Sequence, residues 1–233
     1  MVNKQNKNLT DREKSILETH GWLSAQPHRF RTAVLSEAEL LTFGPGESIY
    51  RLEDAPGGLY AVCDGFIDVI IALQPDLPQL VHVARQGWWV GDAALITDTP
   101  RRAALTTRTA ATIAYVPKAS LLDICATEPE GWRMVARLSV GMFDHTLAMM
   151  SAYRLDTAEA RIVAVLRALL GEGQIFGHAD ESDPVVFPLS QLDVADLTGL
   201  SRNATGPVLR RLQRRGAVKL GYRQFSIVDR SLL

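Results

Sequence analysis

A chain of 233 residues, 47% hydrophobic and 22% charged with a formal net charge of -1, is long enough for two ordinary domains and has the balance of a globular protein rather than a disordered or fibrous one. No apolar run reaches the roughly 18 residues of a membrane span. Asn3, Lys4, Gln5, Asn6, Lys7 and Asn8 make the N-terminus too polar for a signal peptide, so no membrane partner and a cytoplasmic location are expected.

Residues 1–30 read as a helical lead-in, with Thr10-x-x-Glu13 as a capping box ahead of Ile16 and Leu17. From Ala38 to Val116 the texture changes to short β-type runs separated by Gly and Pro: Leu40 to Phe43, Leu59 to Val62, Phe66 to Leu73, Leu80 to Val83 and Thr109 to Val116. Such spacing predicts an all-β roll or barrel. After Pro117, Ser120 to Leu170 has helical periodicity, and Trp132, Val135, Leu138, Met142, Phe143, Leu147 and Met150 recur at three- and four-residue steps. That stripe suits either a two-helix dimer seam or a core helix packed on its own roll. Asp156 or Thr157 can cap a new helix, Ala158 to Leu170, and act as a hinge; Gly171 to Pro184 reads as a polar loop.

The next segment carries the clearest pattern. Ser190, with Asp193 three residues on, opens a short helix; Thr198-Gly199-Leu200 makes a tight corner; Ser201 caps a second helix that ends at Gly216. Two short β runs, Ala217 to Leu220 and Gln224 to Val228, then flank Gly221-Tyr222-Arg223 as a wing hairpin. Between Ser201 and Gly221 stand Arg202, Arg210, Arg211, Arg214, Arg215 and Lys219, with no Asp or Glu. Positive charge so concentrated points to a phosphate backbone, and a winged helix-turn-helix points to duplex DNA. Arg202 and Asn203, at the start of the second helix, are the candidate readers of base edges. Ser190, Ser201, Thr205, Arg210, Arg211, Arg214 and Lys219 complete the candidate DNA-binding set, mainly as phosphate contacts.

A second constellation lies between Gly87 and Ala104. A turn from Gly91 through Leu95 places backbone N–H groups at a helix start, Asp92 can accept from sugar hydroxyls, and Arg102 beside Ala103 and Ala104 can approach a phosphate. The bland alternative is a surface turn with two solvated arginines.

Phe43-x-Pro45-Gly46-Glu47, Gly58-Leu59-Tyr60-x-Val62-x-x-Gly65, the Gly91 to Ala104 cassette and Leu197-x-Gly199-Leu200-Ser201-Arg202 together resemble the Crp/Fnr transcription regulators, the cyclic-AMP receptor protein-like family, over nearly the full chain. The resemblance implies an α+β fold: a cyclic-nucleotide-binding-type β-roll with its N-terminal helix (residues 1–128), a long dimerisation helix (129–155) and a winged helix-turn-helix DNA-binding domain (156–233). It implies a homodimer on a palindromic operator, gated by a small effector, with RNA polymerase as a further partner. Gly91, Asp92 and Ala93 match the family's ribose-phosphate turn, Arg102 its phosphate-binding arginine and Ala103 the small residue after it. Thr146, counted back from Arg161, falls where cyclic-AMP-binding members place an adenine-contacting threonine.

Three positions depart from the family. Asp92 stands for a glutamate, Ala103 for the serine of the bacterial cyclic-AMP receptor, and Pro207 for a base-reading arginine. Cyclic AMP or another cyclic nucleotide is therefore the expected effector class, and Pro207 after Gly206 implies a kinked or late-starting recognition helix. The alternative on the same scaffold senses haem or redox state through His82 or Cys63, or acts without an effector. Cys63 and Cys125 lie outside any C-x-x-C pair and read as buried thiols. Five scattered histidines make no catalytic or metal constellation, so no enzyme is expected.

Overall fold

The computed structural model describes residues 7–72, 77–172 and 184–233. Outside them lie most of the expected loop from Gly171 to Pro184, Leu73 at the end of one β run, and the polar residues 1–6. The chain forms two compact units, Met1–Pro78 with Val83–Met142, and Gln79–His82 with Phe143–Leu233.

In chain order the elements are β1 (Lys7–Asn8), α1 (Asp11–Thr19), α2 (Gly21–Ser24), α3 (His28–Ser36), β2 (Glu39–Phe43), β3 (Ser48–Tyr50), β4 (Leu59–Asp64), β5 (Ile67–Ile71), β6 (Gln79–Ala84), β7 (Trp89–Val90) and α4 (Asp92–Thr97). Then follow β8 (Ala104–Thr107), β9 (Ala111–Val116), α5 (Lys118–Thr127), α6 (Gly131–Tyr153), α7 (Ala158–Leu169), β10 (Val185–Phe187), α8 (Gln191–Thr198), α9 (Arg202–Arg215), β11 (Val218–Gly221) and β12 (Gln224–Ile227), with a 3-10 turn at Arg230–Leu232.

The lead-in opens as its sequence dictates: the Glu13 carboxylate accepts from the Thr10 N–H at 3.0 Å and from the Thr10 hydroxyl, closing the capping box. It extends further than expected, through three helices to Ser36, and β1 adds a strand beside β2. Two antiparallel sheets make the roll, in the orders β1-β2-β9-β4-β7 and β3-β8-β5-β6. Leu41, Val62, Ala111 and Ile113 of the first meet Tyr50, Ile67, Ala84 and Leu105 of the second in one buried cluster. The roll expectation holds. Strands β7 and β8 were not anticipated, because two residues are too few to show a period and the alanines of the 103–104 step weaken the β signal. Trp22 anchors the lead-in, edge-on to Phe30 and Trp89 at centroid distances of 5.9 and 5.2 Å, while its indole N–H donates to the Met134 carbonyl at 2.8 Å.

The helical region from Ser120 to Leu170 is three helices, broken at Glu128–Glu130 and at Arg154–Thr157. Thr157 caps α7, its side-chain oxygen accepting from the Ala160 N–H at 3.1 Å. The single stripe read along α6 is in fact two faces. Val135, Leu138, His145, Met149 and Ala152 are buried on one side. Val140, Phe143, Leu147 and Met150 are 50, 61, 42 and 58% exposed, and their spacing of three, four and three residues is that of alternating a and d positions. Three- and four-residue steps fit both faces at once, which is why periodicity merged them.

The second unit packs α7, α8 and α9 with a three-stranded sheet in the order β10-β12-β11, around Ile162, Val165, Leu166, Phe187, Leu197, Leu212 and Phe225. The Tyr153 hydroxyl donates to the Leu197 carbonyl at 3.1 Å. His82 and His145 meet edge to face, 4.4 Å between centroids, both buried. Burial holds the His145 imidazole down at about 4, against an ordinary 6.5.

Between those two values the unfolded chain binds the proton that the folded chain refuses, so stability falls as pH drops from about 6.5 towards 4. The slope attributable to His145 is at most about 1.4 kcal/mol per pH unit. Urea unfolding at pH 7, 6, 5 and 4 is expected to show that slope reduced in His145→Phe, and parallel curves for the two proteins would refute it.

Candidate nucleic-acid interface and effector cassette

Helix α8 starts where side-chain chemistry places it. The Ser190 hydroxyl oxygen accepts from the Asp193 N–H at 3.2 Å, and the Asp193 carboxylate accepts from the Ser190 N–H at 2.6 Å. Gly199 ends the helix at φ +62°, a left-handed conformation with open space around the missing Cβ, so backbone torsion alone demands glycine there. Ser201 then caps α9, accepting from the Ala204 N–H at 3.2 Å. Val208, Leu209 and Leu212 face the core, while Arg202, Asn203, Pro207, Arg210, Arg211, Arg214 and Arg215 are exposed.

Three placements correct the sequence reading. The helix begins at Arg202, so Pro207 does not delay its start. Thr205 is fully buried and donates its hydroxyl to the Ser201 carbonyl at 3.1 Å, which takes it off the presented face. Arg211 and Arg215 are not simply open to a phosphate, because Glu159, in the first turn of α7, accepts from Arg211 at 3.0 Å and from Arg215 at 2.5 Å. Those two guanidinium groups hold the Glu159 carboxyl below its ordinary range.

Ser190 is half-buried and Lys219 exposed on β11. The wing is tight, pairing Gly221 with Gln224 and leaving Tyr222 91% exposed at its tip. A cleft of about 400 Å³ between wing and helix starts is lined by Gln191, Arg202, Tyr222, Arg223 and Gln224, among others. Ser190 and Arg202, which also line it, were singled out by sequence as DNA-binding candidates; Gln191, Tyr222, Arg223 and Gln224 were not, and the fold brings them together.

In the first unit, Gly91 caps α4 at φ +112°, and an added Cβ would lie 2.6 Å from the Gly58 carbonyl oxygen. Both torsion and space therefore require glycine. Asp92, 5% exposed, accepts from the Ser139 hydroxyl of α6 through Oδ2 at 2.6 Å, a length typical of a hydroxyl bonding a carboxylate. Ala93 is exposed and Ala103 half-buried. Arg102 is exposed, whereas its neighbour Arg101 is 3% exposed and donates to the carbonyls of Gly58 at 3.1 Å and Gly91 at 3.4 Å. The Arg101 guanidinium also lies over Tyr50 at 4.5 Å and Tyr60 at 5.4 Å, a stacking that a weakly hydrated planar cation tolerates. Burial pushes the Tyr60 phenol up to about 12. Arg101 thus fastens the arginine segment to the Gly91 turn, a role that the Arg101-Arg102 pair hides in sequence. Thr146 lies on α6 beyond Met142, in the second unit.

Burial pushes the Cys63 thiol up to about 12 and the Cys125 thiol to about 11, which suppresses the reactive thiolate. Among the described residues no cluster of three or more His, Cys, Asp or Glu could hold a metal ion, and no helix is long and apolar enough to cross a membrane.

Two family models match this architecture: a cyclic nucleotide-binding domain over residues 40–128 and a Crp-like helix-turn-helix domain over residues 160–233. The CRP-like protein Clp of Xanthomonas campestris pv. campestris is 27% identical over 175 residues, 72% of this chain and 74% of its own. The HTH-type transcriptional regulator Cmr of Mycobacterium tuberculosis is 23% identical over 207 residues, 88% of this chain and 80% of its own. The structure of FixK2 from Bradyrhizobium japonicum has a TM-score of 0.70 at 19% identity, over 83% of this chain and 94% of that one. That of Clp from Xanthomonas campestris has 0.62 at 22%, over 87% and 100%. These structural likenesses establish the fold. A cyclic-nucleotide-type roll and a helix-turn-helix on one chain define a DNA-binding transcription regulator. The chain belongs to the Crp/Fnr family of such regulators.

Because Glu159 occupies two arginines of α9, Glu159→Gln is expected to raise affinity for duplex DNA and to steepen its salt dependence by up to about two phosphate contacts. The exposed pairs contribute little to folding, on the order of 1 kcal/mol or less. Filter binding from 50 to 300 mM salt checks this, and an unchanged slope would show that both arginines stay off the backbone.

Proposed function

We propose that the protein is a homodimeric transcription regulator in which an anionic, hydroxyl-bearing effector in the roll controls how two α9 helices meet a palindromic operator. The observation that carries this reading is α9 itself: a capped helix with a buried apolar face and an exposed row of Arg202, Asn203, Arg210 and Arg214. A helix of that kind suits the major groove, about 12 Å wide, with its N-terminus at base edges.

Arg202 and Asn203 read bases, and Arg210, Arg214 and Lys219 contact phosphates, with Ser190 and Ser201 setting the two helix starts. Pro207 offers no hydrogen bond, so that step of the site is read through apolar contact or DNA shape. Val140, Phe143, Leu147 and Met150 of α6 pair with the same residues of a second copy, which places half-sites one turn, about 34 Å, apart. The working division is residues 1–128 for sensing, 129–155 for dimerisation and 156–233 for DNA binding. RNA polymerase is the expected partner at the promoter, in the cytoplasm, and no catalytic step is assigned.

For the effector, Gly91, Asp92, Ala93, Arg102 and Ala103 form the recognition cassette, and Thr146 is assigned to its base. Cyclic AMP is the first candidate. A cyclic dinucleotide is the second, since the Clp structure is described as that of a c-di-GMP responsive global regulator.

Selection from a random duplex pool, followed by gel shift with and without cyclic AMP and c-di-GMP, is expected to return a palindrome whose affinity responds to one of them. Arg202→Ala is expected to cost about 1–3 kcal/mol and to relax selection at one base pair per half-site. Failure to enrich a palindrome would refute the dimeric readout, and an affinity indifferent to both nucleotides would refute the cyclic-nucleotide gate.

A further inference from the structure

Asp92 sits in the middle of the cassette, yet its nearest polar partner comes from α6. The carboxylate is almost completely buried, where an unsatisfied charge is costly, and the Ser139 hydroxyl donates to its Oδ2 at 2.6 Å. Gly91 is fixed by its torsion and by the closeness of Gly58, and Arg101 bonds the Gly91 carbonyl, so the backbone that carries Asp92 has little freedom to move away. A carboxylate has two oxygens and about four acceptor sites. With Oδ2 bonded to Ser139, the carboxylate retains further acceptor sites on Oδ1.

We propose that Ser139 is a positioning residue of the effector cassette: it aims Asp92 and ties it to α6, so that ligand hydroxyl, Asp92 and α6 form one hydrogen-bonded chain. The ligand half of this chain rests on the effector reading above. The Ser139–Asp92 half does not. The one-methylene difference between aspartate and glutamate then has a consequence, because the carboxylate stays close to the cassette backbone and Ser139 reaches it from α6. The effector class is accordingly a hydroxylated anion, a ribose phosphate rather than a deoxyribose one. Helix α6 carries the signal because Ser139 lies four residues before Phe143, on the same continuous helix as the exposed a and d positions.

The test uses the full chain and three proteins: wild type, Ser139→Ala and Ser139→Thr. Without nucleotide, amide exchange in α4 and in the first half of α6 is expected to be about tenfold faster in Ser139→Ala, the scale of one hydrogen bond to a charged group, and unchanged in Ser139→Thr. Affinity for the selected operator is expected to fall several-fold in Ser139→Ala only, since an α6 held less firmly must be ordered on binding. Ser139→Ala behaving as wild type would overturn the proposal. So would Ser139→Thr behaving as Ser139→Ala, which would mean that packing and not the hydroxyl matters. Cyclic AMP and its 2′-deoxy analogue are then added. A response of wild type to cyclic AMP alone, lost in Ser139→Ala, supports the complete chain, while an equal response to both nucleotides overturns its ligand half. Silence of wild type towards both would refute the cyclic-AMP reading and leave the exchange comparison to decide Ser139.

Discussion

An amphipathic helix can be satisfied by its own chain when its apolar residues lie on one side; α6 has them on two. Val135, Leu138, Met149 and Ala152 are buried, while Val140, Phe143, Leu147 and Met150 remain 42–61% exposed. Four large side chains in a heptad row, each about half exposed, forgo on the order of 1 kcal/mol each relative to full burial. In the homodimer proposed above, a second α6 would supply a surface of identical spacing, and a two-fold axis would make the match automatic. That helix makes a side-chain contact within each unit: in its first half the Ser139 hydroxyl donates to Asp92 of the cassette, and its last residue, Tyr153, donates to the Leu197 carbonyl at the corner of the helix-turn-helix.

Charge in the DNA-binding unit is divided rather than merely accumulated. Counting arginines from Ser201 to Gly221 gives a uniform basic block, but Glu159 draws Arg211 and Arg215 towards α7 and leaves Arg202, Arg210 and Arg214 on the presented face. The pairing fixes one side of α9 against the helix that follows the 154–157 break. In the proposed readout this divides the labour: Arg211 and Arg215 are engaged by Glu159, and the arginines outside that pairing are the ones assigned to the salt-dependent attraction to phosphate.

The fold was legible wherever local chemistry is self-sufficient. The Thr10–Glu13 and Ser190–Asp193 boxes, the Ser201 cap, and Gly199 and Gly216 as left-handed stops each follow from a few neighbouring residues. What escaped was set by partners distant in sequence. Arg101 and Arg102 are the same residue type in adjacent positions, yet one is buried against two tyrosines while the other, in the bend before β8, faces solvent. Ser139 has no local mark at all, its partner being 47 residues away. Thr205 fits a row of DNA-facing positions by type, but the helical phase turns it into the core.

Magnitude decides whether a single hydrogen bond could link the roll to the reading heads. Coupling free energies between effector and target sites are typically about 1–3 kcal/mol. A hydrogen bond to a buried carboxylate contributes about 1.5–3 kcal/mol, and more is lost if the carboxylate is left unsatisfied. The two ranges overlap, so no large rearrangement of the core is required for the Ser139–Asp92 contact to shift operator affinity by the tenfold or so that a regulatory switch uses. In the homodimer proposed above, a second copy along the exposed face of α6 would apply that shift to both half-sites together.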